Sequence, residues 1–150
     1  METALVMHSC MLALAFVVVT PISIVVSRYG RQWRWVRRFP VTSLSGEGPA
    51  SRWFDLHLAF QLVAQVAIAL GVVLPFCFLV DQDTFNHFPS LHSWLGLGLI
   101  VAFCVAQPIL GLPSDEATKK ERQQQLWLHS ILGRALVVTG FWCIYLGFDR

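Results

Sequence analysis

Charged side chains are scarce in this sequence. Lys, Arg, Asp and Glu make up 13% of the 150 residues, about half of the ~25% found in an average soluble domain, while 55% are hydrophobic. Four stretches lack charge almost completely and reach the ~20 residues that a helix needs to cross a bilayer; they are residues 4–27, 56–80, 91–112 and 126–148. This composition excludes a water-soluble globular fold. We expect membrane lipids, and no nucleic acid, as partners.

Cysteine motifs that bind metals are also missing. All four cysteines lie inside apolar stretches and show no Cys-x-x-Cys spacing. They are therefore interpreted as small packing residues rather than zinc ligands or disulfide partners; they are Cys10, Cys77, Cys104 and Cys143.

The sequence does contain four segments of membrane length. Each can form an α-helix, which satisfies its own backbone hydrogen bonds in lipid. The first segment has neither a basic start nor an obvious cleavage site, so we interpret it as a span and not as a signal peptide. The predicted fold class is all-α, a four-transmembrane-helix bundle forming one membrane domain over residues 1–150.

Basic residues are concentrated on one side of the predicted bundle. The connection from Arg28 to Arg52 carries six arginines against a single acid, Glu47. The connection from Pro113 to Gln125 carries two lysines and an arginine, whereas the loop from Asp81 to Ser90 has no Lys or Arg. Because basic connections stay in the cytoplasm, both termini are predicted to be non-cytoplasmic.

One histidine stands near the N-terminal end of each span. Successive spans run in opposite directions, so His8 and His92 are predicted near the non-cytoplasmic face, and His57 and His129 near the cytoplasmic face. First with third and second with fourth are diagonal pairs in a four-helix bundle, where facing imidazoles can supply both axial ligands of a haem iron. Two separate pairs suit haem better than a tetrahedral zinc ion, so we predict two haems.

Several neighbouring residues are candidate cofactor contacts. Gly96 and Gly133 lie four residues after His92 and His129, on the same helix face, where a flat macrocycle could approach the backbone. Gln61 has the same position after His57. Arg134 is predicted either to pair with a haem propionate or to extend to the cytoplasmic interface. Gln107, deep in the third span, is predicted to face another helix or a cofactor.

These residues resemble the eukaryotic cytochrome b561 family, in particular the membrane domain found fused to DOMON-type haem modules. The similar motifs are His8-x-x-x-Met, Trp53-Phe54-Asp55-Leu56-His57, Leu91-His92-Ser93-Trp94-Leu95-Gly96 and His129-Ser130-Ile131-Leu132-Gly133-Arg134. The resemblance implies an oxidoreductase with two b-type haems, ligated by His8 with His92 and by His57 with His129. It also implies electron transfer from cytoplasmic ascorbate to monodehydroascorbate or ferric iron outside.

The sequence also departs from that family. Members usually have six spans, and here only the four ligand-bearing ones are present, without a DOMON module. The chain is therefore expected to be a minimal member, a fragment of a longer protein, or a subunit that relies on a partner; the candidate partners are a fused or separate redox domain and a second copy in a homodimer. Clear matches to the family's ascorbate-binding lysines are missing. Four arginines of the first connection are substrate candidates, because they suit an acidic reductant or lipid phosphate; they are Arg31, Arg34, Arg37 and Arg38. His87 is the other candidate, either a solvated loop residue or a contact for a substrate or proton.

Two alternative functions stay open at this point. One is a quinone-linked dihaem cytochrome b subunit, whose reductant arrives within the bilayer. The other is a haem-free membrane transporter or scaffold, whose histidines carry metal ions or protons.

Overall fold

The structure is a computed structural model that describes residues 2–34, 36, 52–79, 90–112 and 117–148. Every regular element within those ranges is a helix. Helix α1 consists of Glu2–Ala13, a π-helical turn Leu14–Val19 and Thr20–Tyr29; a 3-10 turn, Gly30–Gln32, follows. Helix α2 is Arg52–Leu79. Helix α3 consists of Leu91–Val101, a π-helical turn Ala102–Ala106 and Gln107–Gly111, and helix α4 is Lys119–Phe148.

Each long helix contains a segment long and apolar enough to cross a membrane. The four segments are Thr3–Gln32, Arg52–Val73, Leu91–Gly111 and Lys119–Gly147. The predicted all-α fold class with four transmembrane helices is thereby confirmed. Arg37, Arg38 and His87, which the sequence analysis named as substrate candidates, lie outside the described residues.

Helix α4 begins earlier than the sequence suggested. We expected a connection as far as Gln125, but the helix starts at Lys119. Thr118 and Glu121 form a reciprocal cap: the Glu121 carboxylate accepts from the Thr118 amide at 2.8 Å, and the Thr118 hydroxyl accepts from the Glu121 amide at 3.3 Å. This pairing satisfies two backbone donors that the first turn of a helix leaves without intrahelical partners.

The two π-helical turns precede prolines. The amide of Thr20 donates to Ala15 and the amide of Gln107 to Ala102, in both cases five residues back rather than four. Pro21 and Pro108 follow directly. A proline ring lacks an amide donor and collides with the carbonyl four residues earlier in a regular helix, and the wider turn relieves that collision. Each π turn therefore accommodates one residue more than an α turn.

The chain divides into two compact units, Met1–Pro75 and Phe76–Arg150. In the first, α1 and α2 form an antiparallel hairpin around side chains such as Ala15, Ala64 and Ile68, each 0% exposed. In the second, α3 and α4 form a hairpin around Leu99, Phe103 and Leu136. We call these the first hairpin and the second hairpin.

Large apolar side chains also cover the outside of the hairpins. Leu62, Ile109 and Val138 are 60%, 66% and 70% exposed. In water such a surface would associate, whereas in a bilayer it lies against acyl chains. Trp94 at the start of α3 and Trp142 and Tyr145 near the end of α4 are exposed at one end of the second hairpin, as expected for aromatic rings at a membrane interface.

Candidate functional site: four histidines bonded to backbone carbonyls

Both histidines of the first hairpin reach across to the partner helix. The ring of His8 on α1 donates from Nδ1 to the carbonyl oxygen of Gly71 on α2, at 2.7 Å. The ring of His57 on α2 lies with Nδ1 3.0 Å from the carbonyl oxygen of Ser23 on α1 and 2.8 Å from the Ser23 hydroxyl. Each helix thus holds the other's histidine through its backbone.

The second hairpin repeats this arrangement. Nδ1 of His92 on α3 donates to the carbonyl oxygen of Cys143 on α4, at 2.8 Å. Nδ1 of His129 on α4 donates to the carbonyl oxygen of Gln107 on α3, at 3.1 Å. The prediction that Gln107 faces another helix is confirmed.

The spacing between histidine and carbonyl is the same in both hairpins. On α1 and α3 the carbonyl residue, Ser23 or Gln107, follows the histidine by 15 residues. On α2 and α4 the carbonyl residue, Gly71 or Cys143, follows the histidine by 14 residues. At 1.5 Å per residue, 14 residues separate the two histidine levels of a hairpin by about 21 Å along the helix.

The π turns explain why one helix of each hairpin needs the extra residue. At about 100° per residue, 14 residues of α-helix end about 40° short of four full turns, whereas 15 residues would end about 60° past them. A π turn in α1 and in α3 takes up one residue. Histidine and carbonyl therefore lie at equivalent angles on all four helices.

These hydrogen bonds determine the proton position on each ring. A carbonyl oxygen can only accept, so in the neutral imidazole Nδ1 carries the hydrogen and Nε2 carries the lone pair. A ring held by its Nδ1–H on a backbone carbonyl is the usual state of a metal-ligating histidine. Across the described ranges, no three His, Cys, Asp or Glu side chains converge as a metal cluster. The tautomer of the four rings therefore fits imidazole ligands that bind a metal through Nε2.

Glycines make room for the two rings of the second hairpin. A Cβ atom on Gly147 would lie 2.9 Å from His92 Cε1, and one on Gly111 would lie 3.0 Å from His129 Cε1. Both separations are far inside normal carbon–carbon contact. The rings therefore pack directly on the backbone of the partner helix.

Replacing Gly147 by alanine is expected to displace the His92 ring, because the added methyl group overlaps an imidazole that the Cys143 carbonyl holds in place. We expect at least a tenfold weaker haem affinity at the site that includes His92, measured by haem titration of the apoprotein. Gly98→Ala is the matched control, since no atom lies within 4 Å of the added carbon. Equal haem affinity in both variants would contradict this role of Gly147.

The other predicted cofactor contacts have neighbours within their own hairpin. The Gln61 amide donates to the Ser23 hydroxyl at 3.0 Å, behind His57. A Cβ atom on Gly96 would lie 3.8 Å from Cys143 Sγ, and one on Gly133 3.3 Å from Gln107 Nε2, so both glycines contribute to helix packing. The exposed Arg134 donates from Nε to the carbonyl of Ser130, one turn back towards the start of α4. Their contact with a macrocycle stays a prediction.

Two arginines near the helix ends have defined neighbours. The Arg31 guanidinium lies 4.3 Å from the centre of the Trp53 ring, a cation–π geometry, and Arg34 is exposed. Arg122 donates to the carbonyls of Leu112 at 2.9 Å and Gly111 at 3.2 Å, which caps the C-terminus of α3.

Sequence reasoning missed the carbonyl partners of the histidines. A backbone carbonyl has no residue signature, so Ser23 and Gly71 were not singled out and Cys143 was interpreted only as a packing residue. The available signal was the repeated spacing of 14 and 15 residues from a histidine to a small or polar residue inside an apolar run.

Comparisons with known proteins agree with this architecture. The family model described as eukaryotic cytochrome b561 matches residues 7–150. Human ferric-chelate reductase 1 is 23% identical over 142 residues, covering 95% of this chain and 22% of that protein. A cytochrome b561 domain-containing protein of Arabidopsis thaliana is 29% identical, covering 93% of this chain and 48% of its own length.

Human lysosomal membrane ascorbate-dependent ferrireductase is 36% identical over 85 residues, covering 57% of this chain and 33% of that protein. The chain thus spans between about a fifth and about half of the length of these relatives. No solved structure matches. The family model covers nearly every residue, including His8, His57, His92 and His129. The chain therefore belongs to the eukaryotic cytochrome b561 family.

Proposed function

We propose that this chain transfers single electrons across a membrane through two b-type haems, with His8 and His92 as the axial ligands of one and His57 and His129 as those of the other. The observation that carries the proposal is the set of four Nδ1–H to carbonyl hydrogen bonds. Together they give every imidazole the tautomer with its lone pair on Nε2.

The chain's own contribution is to hold and orient the ligands. Each imidazole plane is fixed by a backbone carbonyl of a neighbouring helix, and an acceptor on Nδ1–H makes Nε2 a stronger donor to iron. When bound, haem supplies reversible one-electron exchange between ferric and ferrous iron. With two histidine ligands for each haem, no iron position would be left for dioxygen, which would favour outer-sphere transfer over oxygen activation.

The pairing follows from the order of the spans. Consecutive spans alternate in direction, so the histidines of the first and third begin at one face and those of the second and fourth at the other. Each hairpin supplies one histidine at each of two levels about 21 Å apart along the helices. Each proposed haem therefore takes one ligand from each hairpin, and neither hairpin suffices alone.

The proposed substrates come from the relatives' names and from the charge pattern. Because relatives are named as an ascorbate-dependent ferrireductase and as ferric-chelate reductases, we propose ascorbate as the cytoplasmic donor and ferric iron or monodehydroascorbate as the acceptor. Arg31 and Arg34 are the described members of the arginine group suited to an acidic donor. Both termini are proposed to be non-cytoplasmic, because the basic connections stay inside.

Haem content and reduction test this function directly. For the chain purified in detergent we expect two b-type haems per polypeptide and a reduced-minus-oxidised spectrum that develops partly with ascorbate and fully with dithionite. Reduction by dithionite alone would retain the electron pathway and favour a quinone or a protein as donor. A folded preparation without haem would contradict the proposal and favour the transporter alternative.

A further inference from the structure

We propose that Ser23 and Gln107 are positioning residues for His57 and His129, the two ligands that the proposed function assigns to one haem. The inference rests on that proposed function. It goes beyond axial ligation because it names the side chains that fix these two ligands.

Ser23 holds His57 at both its ring and its backbone. The side chain is completely buried. Its hydroxyl donates to the carbonyl oxygen of His57 at 3.1 Å, accepts from Nδ1 of the same residue at 2.8 Å, and accepts from the Gln61 amide at 3.0 Å. Every hydrogen-bonding capacity of the hydroxyl is therefore used, and the imidazole plane is restrained from two directions.

Gln107 also holds His129 at both its ring and its backbone, through its own backbone carbonyl and its side-chain amide. Its backbone carbonyl accepts from His129 Nδ1 at 3.1 Å, while its side-chain amide donates to the His129 carbonyl oxygen, also at 3.1 Å. The residue is 9% exposed and lies within an apolar span, one turn before the end of α3. A buried amide in a membrane helix costs free energy unless it is hydrogen-bonded, so this contact gives a physical reason for glutamine at this position.

The carbonyl residues that accept from the other two histidines carry different side chains. Gly71, which accepts from His8, has no side chain, and a Cβ atom there would lie 3.1 Å from Met11 Cβ. Cys143, which accepts from His92, brings its thiol, with Sγ 3.6 Å from both Nδ1 and the carbonyl oxygen of His92. A thiol is a weak donor. At these two carbonyl positions the side chains are therefore a hydrogen atom and a thiol, whereas Ser23 and Gln107 bring a hydroxyl and an amide.

Removing these side chains should change one haem and leave the other. In Ser23→Ala the carbonyl remains, but His57 Nδ1 loses its second acceptor. A less basic ligand stabilises ferric iron less, so the midpoint potential of that haem should rise, by up to a tenfold change in its reduction equilibrium, equivalent to about 59 mV for one electron. In Gln107→Leu the backbone carbonyl still accepts from the His129 ring, but the side-chain amide no longer donates to the His129 carbonyl oxygen. The ligand plane should therefore turn, and the low-spin ferric EPR signal of the same haem should move.

The test is a redox titration with EPR spectra on the full-length haem-loaded protein. Thr20→Val is the matched control, because Thr20 is a buried residue of the same helix whose hydroxyl makes no hydrogen bond. We expect Ser23→Ala and Gln107→Leu to alter the haem that is missing in His57→Ala. We expect Thr20→Val and Cys143→Ala to leave that haem unchanged.

Three outcomes would contradict the inference. Suppose that the wild-type chain holds two haems, and that Ser23→Ala and Gln107→Leu give the same potentials and EPR signals as Thr20→Val. That result would overturn this inference but leave the proposed function standing. If Ser23→Ala altered one haem and Gln107→Leu altered the other, the two residues would not position the ligands of the same haem. Absence of haem from the wild-type chain would overturn both proposals.

Discussion

Replacing His57 by alanine is expected to remove one of two haems per chain, and His129→Ala is expected to remove the same one. His8→Ala and His92→Ala should each remove the other haem. The reason is that a bis-histidine site that loses one ligand binds its haem far more weakly, while the second site lies about 21 Å away along the helices and uses different carbonyl partners. Haem per chain and the EPR signals of the remaining haem measure the result.

Double variants test the pairing itself. Combining His57→Ala with His129→Ala should cost no more haem than either change alone, because both act on one site. Combining His57→Ala with His92→Ala should leave no haem, because one ligand of each site is missing. If the first combination loses both haems and the second retains one, the proposed pairing is wrong.

Folding has to be monitored in the same experiment. Each imidazole also bridges two helices through its Nδ1–H, and an interhelical hydrogen bond in a membrane contributes about 0.6 kcal/mol on average. Loss of one such bond should leave helicity and elution volume in detergent unchanged. Retention of the second haem in each single variant is the internal control for a native fold.

The helices and the four histidines were predictable because their signals are carried by side chains. Long apolar runs indicate spans, and a histidine at the start of every run is visible in the sequence. The capped start of α4 was missed because Lys119, Lys120 and Arg122 suggested a solvated connection, although Thr118 and Glu121 have the spacing of a capping box.

The π turns and the carbonyl acceptors could not be predicted in the same way. An i to i+5 hydrogen bond inside a continuous apolar run leaves no pattern of hydrophobic residues that differs from an α-helix. Pro21 and Pro108 suggest a perturbation but not its type. Gly96 and Gly133 were assigned to a macrocycle from an i+4 spacing, and the structure adds a packing role that depends on Cys143 and Gln107 of the partner helices.

Deleting one residue from a π turn is expected to be tolerated, whereas deleting one from the partner helix is not. Val17 lies in the π turn of α1, and without it the 14 remaining steps from His8 to Ser23 can form a regular α-helix with both residues on the same faces as before. Pro21→Ala must accompany the deletion, because a proline inside a regular helix costs about 3 kcal/mol. We expect this variant to retain both haems.

Val66 provides the matched deletion in α2. It is an exposed apolar residue like Val17, at 53% against 44% exposure, and it lies between His57 and Gly71 in a helix without a π turn. Its removal should rotate Gly71 by about 100° relative to His57. Either the His8 or the His57 hydrogen bond then breaks, so we expect at least one haem to be lost.

The second hairpin allows an independent repeat of this comparison. Deleting Val105 from the π turn of α3 together with Pro108→Ala should preserve the haems, and deleting the exposed Val138 from α4 should not. Haem per chain and the two midpoint potentials are the readouts, with Pro21→Ala and Pro108→Ala alone as controls for the proline changes. Equal losses from both kinds of deletion would show that the extra residue is not what aligns histidine with carbonyl. Retention only after the π-turn deletions would establish the π turns as the devices that bring Ser23 and Gln107 into register with the histidines across each hairpin.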